Sequence, residues 1–159
     1  MPDPQTALAR RGAAFTFDAA AFLKLVESLR KPLAPETKTI YAPSFDHAVK
    51  DPVENAIPIK ATARIIIFEG NYLSLGDGDW KQAANLMDEL WFVQVDFKTA
   101  KRRLAARHVK AGIAKDLPEG EKRADENDLV NGKGIVDKML PVQEIIESFE
   151  DANWAPGDC

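Results

Sequence analysis

Glu69 follows directly on the apolar run Ile65-Ile66-Ile67-Phe68. An acid placed there sits where open α/β sheets carry metal-binding or catalytic carboxylates, beyond the carboxyl end of a buried strand. It reads as such a group or as a cap for a neighbouring loop. Arg103, Arg107 and Lys110 are spaced i, i+4, i+7 and share one helix face, flanked by Lys101 and Arg102. That face can grip phosphate or carboxylate oxygens, arginine through its bidentate fork. It is equally a solvated face whose cations suit the negative end of the helix dipole. His108 adjoins the cluster, and the other histidine, His47, is distant in sequence. Tyr41, Phe45, Asp46 and His47 mix aromatic and polar groups after a short strand, which fits a substrate loop as well as ordinary packing. Trp80, preceded by Gly76-Asp77-Gly78-Asp79, is expected to anchor a helix entry, and Arg10-Arg11-Gly12 has little specificity of its own.

Two chemistries are not written in these residues. No His, Cys, Asp and Glu spacing matches a structural zinc site. Phosphate-cradling loops need glycines that turn backbone N–H groups toward the phosphates and a lysine that reaches them. The one Gly-Lys pair, Gly132-Lys133, is followed by Gly134 where Ser or Thr is required, and Asn127 stands at the first glycine position.

The elements that must position these groups alternate. Asp18 can cap a helix whose Phe22, Leu25, Val26 and Leu29 recur at helical spacing before Pro32. Residues 39–42 read as a strand stopped by Pro43, and residues 44–58, with Pro52 and Pro58, as loop or hairpin. Residues 63–68 form the clearest strand, uniformly apolar as a buried parallel strand is. A helix over 80–90, a second buried strand over 91–95 and a basic helix over 97–110, ended by Gly112, follow. Next come a charged, lid-like stretch over 115–120, a helix to about Val130, a turn marked by Gly132 and Gly134, and an apolar run over 142–149 that suits strand or helix. This alternation implies an α/β layer architecture with a largely parallel sheet.

The chain has 159 residues, 45% hydrophobic and 29% charged, with a net charge of −4. That suits one domain over 1–159 with its own core. The longest apolar runs are strand-sized, far short of the ~18 residues that span a bilayer. The acidic balance argues against nucleic acid and for a small-molecule ligand. The lone Cys159 and the lack of a charged-then-apolar leader lead us to expect a reducing, cytoplasmic setting.

Arg10-Arg11-Gly12 with Thr16-Phe17-Asp18, then Tyr41-Ala42-Pro43-Ser44-Phe45-Asp46-His47 with Asp51-Pro52-Val53, then Phe68-Glu69-Gly70-Asn71-Tyr72-Leu73 form an ordered series. It continues through Trp80, Asp88, Asp96, Arg103-Leu104, Arg107-His108, Gly112, Arg123, Asn127-Asp128 and Asn131. The series resembles the uridine kinase and phosphoribulokinase superfamily of P-loop kinases, and within it the pantothenate kinase-like and fructose kinase-like branch.

The resemblance implies a magnesium-organising role for Glu69. It implies that Arg107 and Arg123, supported by Arg103, close over ATP phosphates, and that Tyr41, Phe45 and Asp46 line an acceptor pocket with Arg11 close by. Family members begin with a strand, a Walker A loop, its helix and a second strand bearing the catalytic aspartate, and roughly 50–70 residues of this kind have no counterpart here. The expected fold is therefore a three-layer, P-loop-kinase-like parallel sheet without its first strands, rearranged or completed by a homodimer. The expected function is a small-molecule binding protein or enzyme that reuses the acceptor pocket without ATP or another cofactor. In it Asp46, His47 and Glu69 would act as acid or base, and Arg107 and His108 would bind substrate and stabilise charge. The alternatives are part of an ATP- and magnesium-dependent nucleoside, sugar or pantothenate-like kinase, and a non-catalytic pseudokinase-like partner.

Overall fold

The structure is a computed structural model that describes residues 3–46 and 51–150. His47 and Cys159 lie outside the described residues.

The chain opens with a short helix, α1 (Pro4–Ala9), whose first amides are taken by the Asp3 carboxylate. Helix α2 (Ala19–Leu29) starts where its sequence says it should: Asp18 accepts from the Ala21 amide at 2.8 Å. Val26 on its apolar face is fully buried, and Phe22 meets the rings of Phe68 and Trp80 at 5.4 and 5.6 Å. Tyr72 extends this aromatic cluster, 5.8 Å from Trp80 and 5.6 Å from Phe17. Tyr72, Leu75 and Ile135 form the buried centre, with Ala14, Trp80 and Phe92 packed on it.

Strands β1 (Ile40–Asp46) and β2 (Asp51–Ile59) pair antiparallel, from Ile40 opposite Ile59 to Asp46 opposite Asp51. Residues 44–58 are thus largely the hairpin arm, one of the two forms expected. Pro43 does not stop β1 as its type suggested. The register shifts between Ala42 and Ser44, and the bulge leaves the proline, which has no N–H to donate, out of the ladder.

Residues 63–68 depart further from expectation. They join no sheet, and no amide of residues 64–70 takes part in a backbone hydrogen bond among the described residues. The apolar run is there, but a strand exists only through a neighbour, and none is supplied within the described chain. Helix α3 (Gly78–Ala84) is shorter than the expected 80–90, and it buries only Ala83 and Ala84.

Strand β3 (Trp91–Gln94) pairs in parallel with β4 (Glu144–Glu147), Trp91 opposite Glu144 and Val93 opposite Ile146. The run at 142–149 therefore resolves as strand. β3 is not buried as expected: Trp91 and Val93 are 60% and 62% exposed. The crossover between β3 and β4 is helical. Helix α4 (Phe97–Lys110) is capped by Asp96, which accepts from the Thr99 amide at 2.9 Å, and it ends at Ala111 before Gly112 turns the chain at φ +67°. Helix α5 (Leu117–Arg123) is capped by Asp116, and Gly120 lets it lie against α4, since a Cβ there would stand 2.7 Å from the Ala105 carbonyl oxygen.

A five-residue π-turn (Ala124–Asp128) joins α5 without a break to α6 (Leu129–Asp137). The expected turn at Gly132 and Gly134 does not form, because both lie inside α6, where the face of Gly132 rests against the Phe97 ring. Tertiary packing here outweighs the ~1 kcal/mol helix penalty of glycine. The fold is mixed α/β, and the described residues hold two two-stranded sheets rather than a full three-layer sheet. Among them no helix is long and apolar enough to cross a membrane.

Candidate functional site

Two neighbourhoods gather the groups singled out in the sequence. In the first, the Arg11 guanidinium lies over the Phe45 ring, 5.7 Å from its centre. This is a cation–π contact between the start of the chain and the exposed side of the hairpin. Tyr41, also exposed, is on the same strand, with Asp46 at that strand's end. Arg11 is held from behind. Its carbonyl accepts from Asn127 Nδ2 at 3.3 Å. Its neighbour Arg10 donates from Nε to Asn127 Oδ1 at 3.0 Å and from Nη2 to Asn131 Oδ1 at 2.9 Å. Gly12, at φ +98°, makes the turn that glycine alone adopts freely, and its carbonyl accepts from the Tyr72 hydroxyl at 2.6 Å. Burial pushes the Tyr72 phenol above its ordinary pKa of 10.0, opposed by the charge of Arg10 and reinforced by that of Asp128.

The π-turn explains how Asn127 reaches this place. Its wide ring, closed by the Leu129 amide on the Ala124 carbonyl, re-aims the side chains of that turn, and Asn127 ends up buried. Asp128 beside it accepts from His108 Nε2 at 2.8 Å. His108 is only 7% exposed, so the structure turns it from α4 into a part-buried pair with the π-turn and not onto an open binding face. Its Nδ1 and the Nε of Arg123 are buried without a hydrogen-bond partner among the described residues.

The second neighbourhood is a cleft of about 310 Å³ lined by Val95, Ala100, Arg103, Leu104 and Arg107. It opens just past the carboxyl end of β3, where ligands of α/β sheets sit. Arg103 is committed in part: Nη1 donates to Ser148 Oγ at 2.7 Å, and Nε approaches Glu150 at 3.4 Å. Arg102 also pairs with Glu150, and that guanidinium holds the carboxyl below its ordinary range. Arg107 is exposed, and its guanidinium makes no side-chain hydrogen bond or ion pair among the described residues. This cleft can take an anionic group between an apolar wall and two guanidinium ions.

Glu69 is brought to neither place. It is exposed, at the end of the unpaired stretch. Among the described residues no three His, Cys, Asp or Glu side chains converge as a metal site. A magnesium ion bound through one or two carboxylates depends on nucleotide phosphates for its remaining ligands. Gly132-Lys133-Gly134 forms no phosphate loop: it is interior to α6, and Lys133 Nζ is bonded to Asp137 at 2.8 Å.

Arg10, Tyr72, Asn127 and Asn131 are the residues whose part sequence reasoning did not assign. Arg10 and Asn127 are 117 positions apart, and the only signal was their shared membership of the ordered series of family-like residues.

No family model matches the chain. Individual proteins do. The ATP-dependent kinase-like protein notR' of Aspergillus versicolor is 49% identical over 154 residues, covering 97% of this chain and 87% of that one. The protein named "Putative uridine kinase C227.14" of Schizosaccharomyces pombe is 40% identical over 144 residues, 91% of this chain and 60% of its own length. The crystal structure of YFH7 from Saccharomyces cerevisiae superposes with a TM-score of 0.77 at 29% identity, covering 95% of this chain and 53% of that one. The chain thus spans most of one relative and little more than half the length of the other two. A 49% match over nearly all of a kinase-like relative, together with the shared YFH7 architecture, settles membership: the chain belongs to the P-loop kinase-like family related to uridine kinase and YFH7.

Proposed function

We propose that the chain carries the acceptor-binding and phosphate-facing part of a small-molecule kinase of the uridine kinase-like type. Its ligand would be a nucleoside, sugar or pantothenate-like compound. The observation that carries this reading is the Arg11–Phe45 contact, backed by part-buried hydrogen bonds from Asn127 to the Arg11 carbonyl and from Tyr72 to the Gly12 carbonyl, in a chain whose relatives bear kinase names. Phe45 and Tyr41 offer flat apolar surface to a base or sugar face, and Arg11 offers a fixed cation. Asp46 is the carboxylate nearest in sequence to accept a hydroxyl proton, with His47 beside it, and Glu69 is the further acid. Arg107, with Arg103, would meet phosphate oxygens in the β3 cleft, and Arg123, which is not part of that lining, would be the further arginine facing phosphate. In an ATP-dependent reaction the phosphate cradle would come from residues outside these 159. The full three-layer sheet and a cytoplasmic setting belong to the same proposal.

A second reading keeps the acceptor pocket and dispenses with the nucleotide, for an acid–base isomerisation, cyclisation or elimination. What favours it is that Gly132-Lys133-Gly134, the one stretch that resembles a phosphate loop, lies within helix α6 with Lys133 bonded to Asp137. Titration calorimetry separates the two. Binding of ATP with Mg²⁺ at micromolar affinity supports the kinase reading and removes the second. Binding of uridine, fructose or pantothenate is expected on both readings; conversion of the bound compound by this chain without ATP supports the second, and binding of none of these ligands overturns both.

A further inference from the structure

Arg107 and His108 are neighbours on α4 but face different ways. Arg107 is exposed at the β3 cleft, while His108 points inward and donates to Asp128 at 2.8 Å. Lys101 also reaches from α4 to the π-turn, pairing with Asp125 at 2.7 Å, but those side chains are 32% and 50% exposed, where an ion pair contributes little. His108 and Asp128 are 9% and 26% exposed, so theirs is the link shielded from water. The π-turn needs such a link. It carries an extra residue inside a helix, and relaxing it to α geometry would rotate one side of the helix by about 100° against the other. That rotation would break one of two contacts. Before the turn, Gly120 of α5 lies on the Ala105 backbone of α4; within and beyond it, Asn127 and Asn131 hold Arg10. Asp128 ends the turn, next to Asn127. Its charge also reaches the Tyr72 phenol, whose hydroxyl holds the Gly12 carbonyl.

We propose that His108 is a positioning residue: by holding Asp128 it sets the register of the π-turn, so that Asn127 meets Arg10 and the Arg11 carbonyl and the Arg11 guanidinium stays over Phe45. His108 itself touches no ligand. Its Nε2 donates to a carboxylate that, when ionised, can only accept, so the pair has one polarity and one geometry. The helix that carries Arg103 and Arg107 to the cleft thereby also fixes the cation of the other neighbourhood. The effect on ligand binding rests on the reading of Arg11 and Phe45 as an acceptor pocket; the hold on Arg10 stands without it.

Nuclear magnetic resonance of the isotope-labelled full chain reads the Arg10 Nε–H directly, assigned by its loss in Arg10→Lys. Held by Asn127 Oδ1, this proton should exchange slowly with water. His108→Leu should speed the exchange about tenfold or more, as expected when a hydrogen bond to a charged group is lost. His108→Gln, whose side-chain amide can still donate to Asp128, should stay within about threefold of wild type. Val26→Ala, which loses core packing on α2, should stay within about the same limit, since it touches none of these groups. Should His108→Leu fail to fold, Asp128→Ala removes the same bond at a partly exposed site, with Asp128→Asn as its conservative partner. Unchanged exchange in folded His108→Leu or Asp128→Ala overturns the proposal, and so does equal acceleration in His108→Gln or Val26→Ala. Calorimetric titration of uridine, D-fructose and pantothenate reads the effect on binding. The compound that binds wild type should bind His108→Leu about tenfold more weakly and His108→Gln as wild type. Equal affinity in His108→Leu overturns that effect. Binding of none of the three removes the acceptor reading instead, and the exchange measurement alone decides the positioning role.

Discussion

Replacing Asn127 with alanine tests whether the π-turn is what fixes the arginine pair. The side chain is 6% exposed, accepts from Arg10 Nε at 3.0 Å and donates to the Arg11 carbonyl at 3.3 Å. A hydrogen bond from a charged donor contributes about 1.5–3 kcal/mol and a neutral one about 0.5–1.5 kcal/mol. Arg10 is half-buried and keeps its 2.9 Å bond to Asn131, so part of its loss is recovered through water. The lower half of the combined range applies, about 2–3 kcal/mol, with the long carbonyl bond as the minor contributor. For a chain of this size that lowers the thermal midpoint by roughly 5–10 °C. Urea unfolding should show the midpoint falling at constant slope. A double-mutant cycle with Arg10→Ala should then return a coupling of about 1–2 kcal/mol, since the two residues touch. A loss below ~0.5 kcal/mol, or strictly additive effects, would refute the idea that Asn127 anchors Arg10.

Other consequences follow from the same geometry. Tyr72→Phe should cost about 1 kcal/mol by leaving the Gly12 carbonyl unpaired. It should also remove, in an ultraviolet pH titration, a phenol ionising above 10.0; a wild-type chain without such a phenol contradicts the burial argument. Gly120→Ala should destabilise by about 1–3 kcal/mol because its Cβ meets the α4 backbone. Gly134→Ala, with nothing within 4 Å, should stabilise by about 0.5–1 kcal/mol, and equal effects of the two in urea would sink the packing account. Asp96, Asp77 and Glu150 have carboxyls held low by the Thr99 amide, Lys138 and Arg102 respectively. Folded values below unfolded ones mean that their stabilisation is complete above the ordinary 3.8 to 4.5 and is lost as pH falls through the lower folded values. The urea midpoint should therefore drop in that acid range, and less steeply in Asp96→Asn; an identical acid limb in the variant contradicts the cap's role.

The local signals in the sequence held. Asp18 and Asp96 open helices where their types and spacing say, and Gly112 ends α4 at a positive φ. What failed depended on distant partners. The run at 63–68 has strand composition but no neighbour to make it a strand. Gly132 and Gly134 look like a turn until the helix that continues through them is seen packed on Phe97. The site divides in the same way. Arg103 and Arg107 lie together at the carboxyl end of β3, as one helix face and the open-sheet rule imply. Glu69 stays apart from them, and His108 is turned inward to Asp128, because its neighbour across 20 positions was not visible in its own surroundings. The hold on Arg11 runs through Arg10, Asn127 and Tyr72, which no local spacing connects.

The central claim is that Arg11 over Phe45 forms the acceptor pocket. Its most direct test is calorimetric titration of uridine, D-fructose and pantothenate into the wild-type chain and into Arg11→Ala. The account predicts that one of these compounds saturates the wild-type protein and that Arg11→Ala weakens it by about tenfold or more, ~1.4 kcal/mol. Equal affinity in the two proteins, or no binding of any of the three at millimolar concentration, contradicts it.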